Sequence, residues 1–149
     1  MANNMEIGEC TVDEFLEFLE KLDDFYETPS LDDAIARIGE AESLALLARI
    51  DGKPVGCKIG YALDDEHGEK VFYSWLGGVD SNYRKQGIAS NLLSYQERWL
   101  KTQGYREVRV KSMNHYPNML RFLIGKGYQV AGLEPGVPEK LKLHFSKKL

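Results

Sequence analysis

The hydrophobic period of this chain changes along its length, and that change limits the folds open to it more than any other feature. From residue 11 to residue 42 the apolar side chains recur at helical spacing. "TVDEFLEFLEKLDDFY" puts Val12, Phe15, Leu16 and Leu19 on one face, and Thr11 with Glu14 forms a capping box. "SLDDAIARIGEAE" gives a second helix, with Ser30 to cap it and Asp32 and Asp33 at its positive end. Between residues 43 and 79 the period becomes that of strands: "SLALLARI", "PVGCKIGYAL" and "KVFYSWLGGV". Asp51-Gly52 joins the first pair as a hairpin turn and "DDEHGE" joins the second, so the three runs predict an antiparallel meander. Helical spacing returns at Ile88, Leu92, Tyr95 and Trp99, with Ala89, Leu93 and Leu100 beside them, and Gly104 is a natural stop. "REVRVKS" then alternates as a strand, and "PNMLRFLIGKG" reads as a helix opened by Pro117. "YQVAGL" and "KLKLHF" read as closing strands. With "MEIGEC" as a first strand, the order is βαα-βββ-α-β-α-ββ. Hairpins combined with a strand–helix–strand crossover predict an α/β (α+β) fold. Its centre is a mixed, mostly antiparallel sheet of about seven strands, with four helices on its faces.

The 149 residues, 43% of them hydrophobic, suit one domain over residues 1–149 with a real core. A formal net charge of −4 speaks against nucleic acid as a partner, so any anion site must be local. Cys10 and Cys57 are isolated and fit neither a disulfide framework nor a metal site, which favours a reducing compartment. "MANNMEIGEC" lacks a basic region followed by an apolar run, and no segment approaches the roughly 20 apolar residues that span a bilayer. A soluble cytoplasmic protein without a metal is expected. Asp64, Asp65, Glu66 and His67 read as a solvated hairpin tip.

The third helix breaks the rules that the first two obey. "NYRKQGIAS" (Asn82 to Ser90) offers no Ser, Thr, Asp or Asn cap at the helix start, and it adds Arg84 and Lys85 where cations cost about 0.3–1 kcal/mol each. A bound anion reverses the sign of that cost. The first-turn amides point at it, the helix dipole favours it and the basic side chains clamp it. Gly87 lets the backbone come close, and Ala89 keeps the next turn small. The bland alternative is a solvated basic loop. Against it stands the context: a strand ending in Gly77-Gly78-Val79, a short loop, then the uncapped helix. Paired glycines near a strand end suggest a bulge or a close backbone approach.

Arg84-x-x-Gly87-x-Ala89 after "LGGVDSNY" resembles the acyl-CoA signature of the GNAT superfamily, the GCN5-related N-acetyltransferases. The element order is similar over nearly the whole chain, and Asn114 and Asn118 ahead of "GKGY" resemble the family's last helix. The resemblance implies acetyl-CoA as cosubstrate. The amides of Gln86, Gly87, Ile88, Ala89 and Ser90 would hold its diphosphate, and Arg84 and Lys85 would add charge. The backbone from Leu76 through Gly77, Gly78 and Val79 would pair with the pantetheine arm as an extra strand does, and an amide there would stabilise an oxyanion. Asn114 would touch the pantetheine or the adenosine half.

The resemblance also implies a Tyr in the last helix as acid for the leaving thiolate. Counting back from Gly127-Tyr128, that place holds Leu123 beside Phe122, and neither donates a proton. Tyr116 is the substitute expected to serve, the alternative being a Tyr that packs on the helix start, and His115 is adjacent. Of Tyr73 and Ser74, alternation leaves open which one faces the acceptor. Trp75 and Trp99 read as core anchors. The expected activity is N-acetyl transfer to a primary amine, on a small molecule or a peptide, by direct attack in a ternary complex. The alternatives are a non-catalytic acyl-CoA-binding module and a protein-interaction domain with no nucleotide site. The acidic stretch with Glu20, Asp23, Asp24, Glu27, Asp32 and Asp33 suits a cationic acceptor, but a solvated, helix-capping face accounts for it better. The last strand pair could form a homodimer through an exposed edge.

Overall fold

Local signals decide where most elements begin. A computed structural model describes residues 4–22, 28–64 and 67–149. Strand β1 (Met5–Glu9) leads into helix α1 (Val12–Leu19). Thr11 Oγ1 accepts from the Glu14 amide, and Glu14 Oε1 accepts from the Thr11 amide, each at 3.0 Å, so the capping box forms. The helix ends at Leu19, short of the Tyr26 that the period predicts, and Asp23, Asp24 and Glu27 of the acidic stretch lie outside the described residues. Helix α2 (Leu31–Ile38) is capped by Ser30, whose Oγ accepts from the Asp33 amide at 3.1 Å. Gly39, at φ 57°, stops it before the predicted Glu42, because a left-handed residue cannot continue the helix.

Strands β2 (Ser43–Ile50) and β3 (Lys53–Leu63) are joined by Asp51 at φ 50° and Gly52 at φ 83°, the double left-handed turn that matches strand twist. Strand β4 (Val71–Val79) completes the meander; Asp65 and Glu66 of the preceding turn lie outside the described residues. Then come helix α3 (Ile88–Thr102), strand β5 (Glu107–Met113), helix α4 (Pro117–Gly125), and strands β6 (Gln129–Glu134) and β7 (Lys142–Lys148). The sheet has seven strands in the order β1-β2-β3-β4-β5-β7-β6. Only the β4–β5 pair is parallel, as the crossover through α3 requires.

Two cores sit on the two faces of this sheet. On one, α3 and α4 pack Ile88, Leu92, Leu100 and Leu123 against Leu46, Phe72, Val108 and Phe145. On the other, α1 and α2 pack Phe15, Leu19, Ala34 and Ile38 against Leu47, Cys57 and Ile59. Trp99 joins the first core and Trp75 the second, each partly buried, as anchors. Gly60 is required where β3 crosses β4: a Cβ there would overlap the Phe72 ring and come 2.5 Å from the Tyr73 carbonyl oxygen. Among the described residues, no helix is long and apolar enough to cross a membrane.

Candidate functional site

Strands β4 and β5 run side by side for only four rungs, Val71↔Glu107 to Ser74↔Val110. Beyond Ser74, β4 continues to Val79 paired with β3 alone, and beyond Val110, β5 continues to Met113 paired with β7 alone. Among the described residues, the facing edges of Trp75–Val79 and Lys111–Met113 therefore have no strand partner, and the sheet opens there as a V. The bulge that parts them lies earlier than the glycines suggest. The β3–β4 register jumps from Gly60↔Ser74 to Ile59↔Leu76, which makes Trp75 the extra residue. A strand that carries one more residue than its neighbour bends, and β4 bends away from β5. Gly77 has a different reason to be glycine: its Cβ would lie 2.9 Å from the Cys57 carbonyl oxygen of β3. The close approach is thus within the sheet.

The start of α3 stands at the open end of that V. Asp80 turns the chain, its Oδ1 accepting from the Asn82 amide at 2.9 Å, through a short 3-10 turn at residues 81–83. Arg84, Lys85, Gln86 and Gly87 follow, all exposed. Lys85 at φ 63° and Gly87 at φ 80° are both left-handed, on either side of Gln86. Such alternation turns successive amides toward one point, the concave arrangement that holds anions. Gly87 occupies the cap position and no side chain caps the helix. Ile88 puts its side chain into the core, 2% exposed, which fixes the height of the first turn over the sheet, while Ala89 is exposed. Ser90 Oγ accepts from Lys126 Nζ at 2.6 Å. Lys126, just past the end of α4, is a cation at the α3 start that sequence reasoning missed. The signal was present in "GKGY", but its meaning depends on α4 folding back over α3.

The Asn114 amide donates to the Leu141 carbonyl at 2.8 Å, and its Nδ2 lies 3.4 Å from the Pro138 carbonyl oxygen. It ties the end of β5 to the β6–β7 connection. Tyr116 is the residue before α4, half exposed, with its ring 4.1 Å from that of His115. Parallel strands end at the same edge of a sheet, so Tyr116 follows β5 at the edge where β4 ends in Gly77–Val79. Leu123, at the place of the missing acid, is 3% exposed and packs in the core.

On the α1/α2 face, a cavity of about 610 Å³ abuts the last β4–β5 rung. Arg37 of α2, Tyr61 of β3, Tyr73 of β4, Arg109 and Lys111 of β5 and His144 of β7 line it. Tyr73, not Ser74, thus faces this side; Ser74 is 3% exposed. Burial pushes the Tyr73 phenol up, against a smaller opposing pull from Arg37, so its proton stays on at neutral pH. Burial also pushes the Cys57 thiol up to about 12 and the Cys10 thiol up to about 11. Neither supplies a thiolate near neutral pH. One buried polar residue was not legible: Gln96 of α3 is fully buried, and neither its Oε1 nor its Nε2 has a hydrogen-bond partner among the described residues.

The site is thus a parted parallel strand pair beside an uncapped, cation-flanked helix start. The profile of the acetyltransferase (GNAT) family matches residues 10–125, and the chain belongs to that family. Solved structures show the same fold at low identity. Naa50 from Arabidopsis thaliana, in complex with the bisubstrate analogue CoA-Ac-MVNAL, is 20% identical with a TM-score of 0.77 over 97% of this chain and 99% of that one. The ribosomal-protein-S18-alanine N-acetyltransferase from Escherichia coli is 13% identical with a TM-score of 0.78 over 97% and 93%. A GNAT family acetyltransferase from Elizabethkingia anophelis with acetyl-CoA bound is 16% identical with a TM-score of 0.72 over 99% and 100%. Among curated proteins, no sequence matches the chain.

Proposed function

We propose that this protein transfers an acetyl group from acetyl-CoA to a primary amine, by direct attack of the amine within a ternary complex. The observation that carries this reading is the pairing of the β4–β5 opening with the uncapped start of α3. Acetyl-CoA supplies the activated acetyl thioester. The amides of residues 86–90 take its diphosphate, with Arg84, Lys85 and Lys126 adding positive charge. The unpartnered edge of β4 from Leu76 to Val79 presents amides and carbonyls to the extended pantetheine arm, and an amide there meets the charge that grows on the acetyl oxygen. The acceptor enters from the α1/α2 face, through the cavity that ends at the same rung. Direct attack is favoured over a cysteine acyl-enzyme because both thiols are held protonated by burial. Tyr116 is the proton donor to the departing thiolate. The Arabidopsis relative with its CoA–peptide analogue and the S18-alanine enzyme support an amine at a peptide N-terminus, or a small molecule that resembles one, as acceptor.

A second reading, a non-catalytic acyl-CoA binder, draws on the buried Leu123 at the usual acid position. Two measurements separate the readings. Acetyl-CoA at 100 times its dissociation constant adds about 2.7 kcal/mol of stability and raises Tm by roughly 5–10 °C in a chain of this size. An amine panel followed by free-thiol release then detects turnover, which the binder lacks. Gly87→Asp places a carboxylate where the diphosphate should lie, and Arg84→Glu reverses a neighbouring charge. Both are expected to abolish the thermal shift while the variants stay folded, and an unchanged shift in either removes the site. Tyr116→Phe should lower turnover about 100-fold with acetyl-CoA affinity kept. Undiminished turnover would shift the proton donor to Tyr73.

A further inference from the structure

The charges around the acceptor cavity are unevenly matched. On β5, Arg109 is paired with Glu107. Lys111 lies 3.7 Å from Glu134 Oε2, and His144 Nε2 is 3.0 Å from the same oxygen. Glu107 and Glu134 are therefore both engaged. Arg37 is different. Its Nε donates to the Tyr61 hydroxyl at 2.8 Å, and its guanidinium lies 4.4 Å from the centre of the Trp75 ring. No carboxylate among the described residues lies within ion-pair reach of it. Counting Arg37, Arg109 and Lys111 against Glu107 and the neighbouring Glu134, the described residues at the cavity carry an excess of one positive charge even with His144 neutral.

We propose that the acceptor is an amine whose carrier also bears a carboxylate, and that Arg37 binds that carboxylate beside the β4–β5 opening. The inference rests on the acyltransfer reading above and narrows its acceptor. A guanidinium has five N–H donors. One is used on Tyr61, which leaves the two terminal nitrogens as the planar fork that grips a carboxylate in a bidentate manner. Stacking on Trp75 and the bond to Tyr61 hold the side chain in place, so little rotamer freedom is lost on binding. Tyr61 meets Tyr73 and Trp75 edge-on, at centroid distances of 5.6 and 5.9 Å, and this aromatic wall suits the apolar part of the acceptor. The excess positive charge of the described residues disfavours a polyamine. The volume, about 610 Å³, holds a free amino acid or the first residues of a peptide. The carboxylate comes either from the α-carboxyl of a free amino acid or from an acidic side chain near a peptide N-terminus.

Matched acceptors distinguish the two sources: free amino acids against their α-amides, and peptides beginning Ser-Glu against peptides beginning Ser-Gln. Initial rates are read by thiol release, and acceptor binding by isothermal titration onto CoA-saturated protein. In one of the two arms, the carboxylate-bearing member should lead by at least roughly tenfold in kcat/KM, the size of one charge-assisted contact. Arg37→Gln should erase that preference chiefly through KM, with acetyl-CoA affinity unchanged. Arg37→Lys should restore part of it, and Arg37→Glu should reverse it. Equal rates for both members in both arms, or a preference that survives Arg37→Gln, overturn the inference while leaving the transferase standing. Failure to bind acetyl-CoA, or no thiol release with any amine, overturns the transferase reading and this inference with it.

Discussion

On β3, Lys58 stands opposite Gly77, and burial lowers its pKa to about 8, with weaker opposing pulls from Cys57 and Glu97. The unfolded chain holds that proton up to about 10.5, so between about pH 8 and 10.5 it binds more protons than the folded protein, and stability rises with pH through that window. The burial cost is fully present below pH 8. Lys58→Met should therefore stabilise the protein at pH 7, and the gain should vanish by pH 10.5. Because the residue keeps part of its surface in solvent, the gain should be about 1–2 kcal/mol, not the ~3 kcal/mol of the full displacement. Urea melts of both proteins at pH 7, 9 and 10.5 check this, and a gain that does not shrink with pH would refute it. Nothing in "VGCKIGY" marks Lys58 as buried, because strand alternation gives a side chain's face but not what covers that face. Arg84, Lys85 and Gly87 were legible for the opposite reason. They break a capping rule, and a broken local rule is visible without the fold.

At the scale of elements, one carboxylate ties α3 to the chain just past α4 and to β7. Glu97 Oε2 accepts from the Tyr128 hydroxyl at 2.8 Å, and Oε1 accepts from Lys147 Nζ at 2.9 Å. Lys147 Nζ also donates to the Lys126 carbonyl at 2.9 Å, and Lys126 reaches on to Ser90. The middle of α3 is thus linked to its own first turn through the end of α4. Glu97→Ala leaves the buried Tyr128 phenol without its acceptor and Lys147 with the Lys126 carbonyl but no carboxylate, and it should cost about 2–3 kcal/mol in chemical denaturation. It should also weaken acetyl-CoA binding several-fold, since Lys126 loses its support; full affinity in a folded Glu97→Ala protein would show that Lys126 acts without that support. Element types and order were legible from period, caps and turns. The bulge at Trp75 was not, because it arises from a mismatch in length between two strands, and neither strand reveals it alone. The end of α2 was overextended because Gly39 was read through although its positive φ stops the helix, and that of α1 because Leu22, buried beyond the helix end, keeps the apolar spacing going.

For the molecule as a whole, the sequence pattern gives the layers of the sheet but not its lateral order. Nothing in "YQVAGL" or "KLKLHF" says that the second enters the sheet beside β5 and leaves the first outside. The opening between β4 and β5, the cavity on one face and the α3 start at its end all follow from that lateral arrangement, which is why the α1/α2 face was the least legible part. The lateral order also bears on how the protein assembles. Strand β6 comes before β7 in the chain, but among the described residues β7 is the one strand that pairs with it, with Val130 and Leu133 of β6 left exposed at the margin. What is threaded first is therefore seated last. Opening of this margin does not disturb the β5–β7 rungs, so β6 can detach while the rest stays closed. Its amides should exchange with deuterium ahead of those of β2 and β3, and protection in β6 equal to theirs would mean that something further clasps the rim.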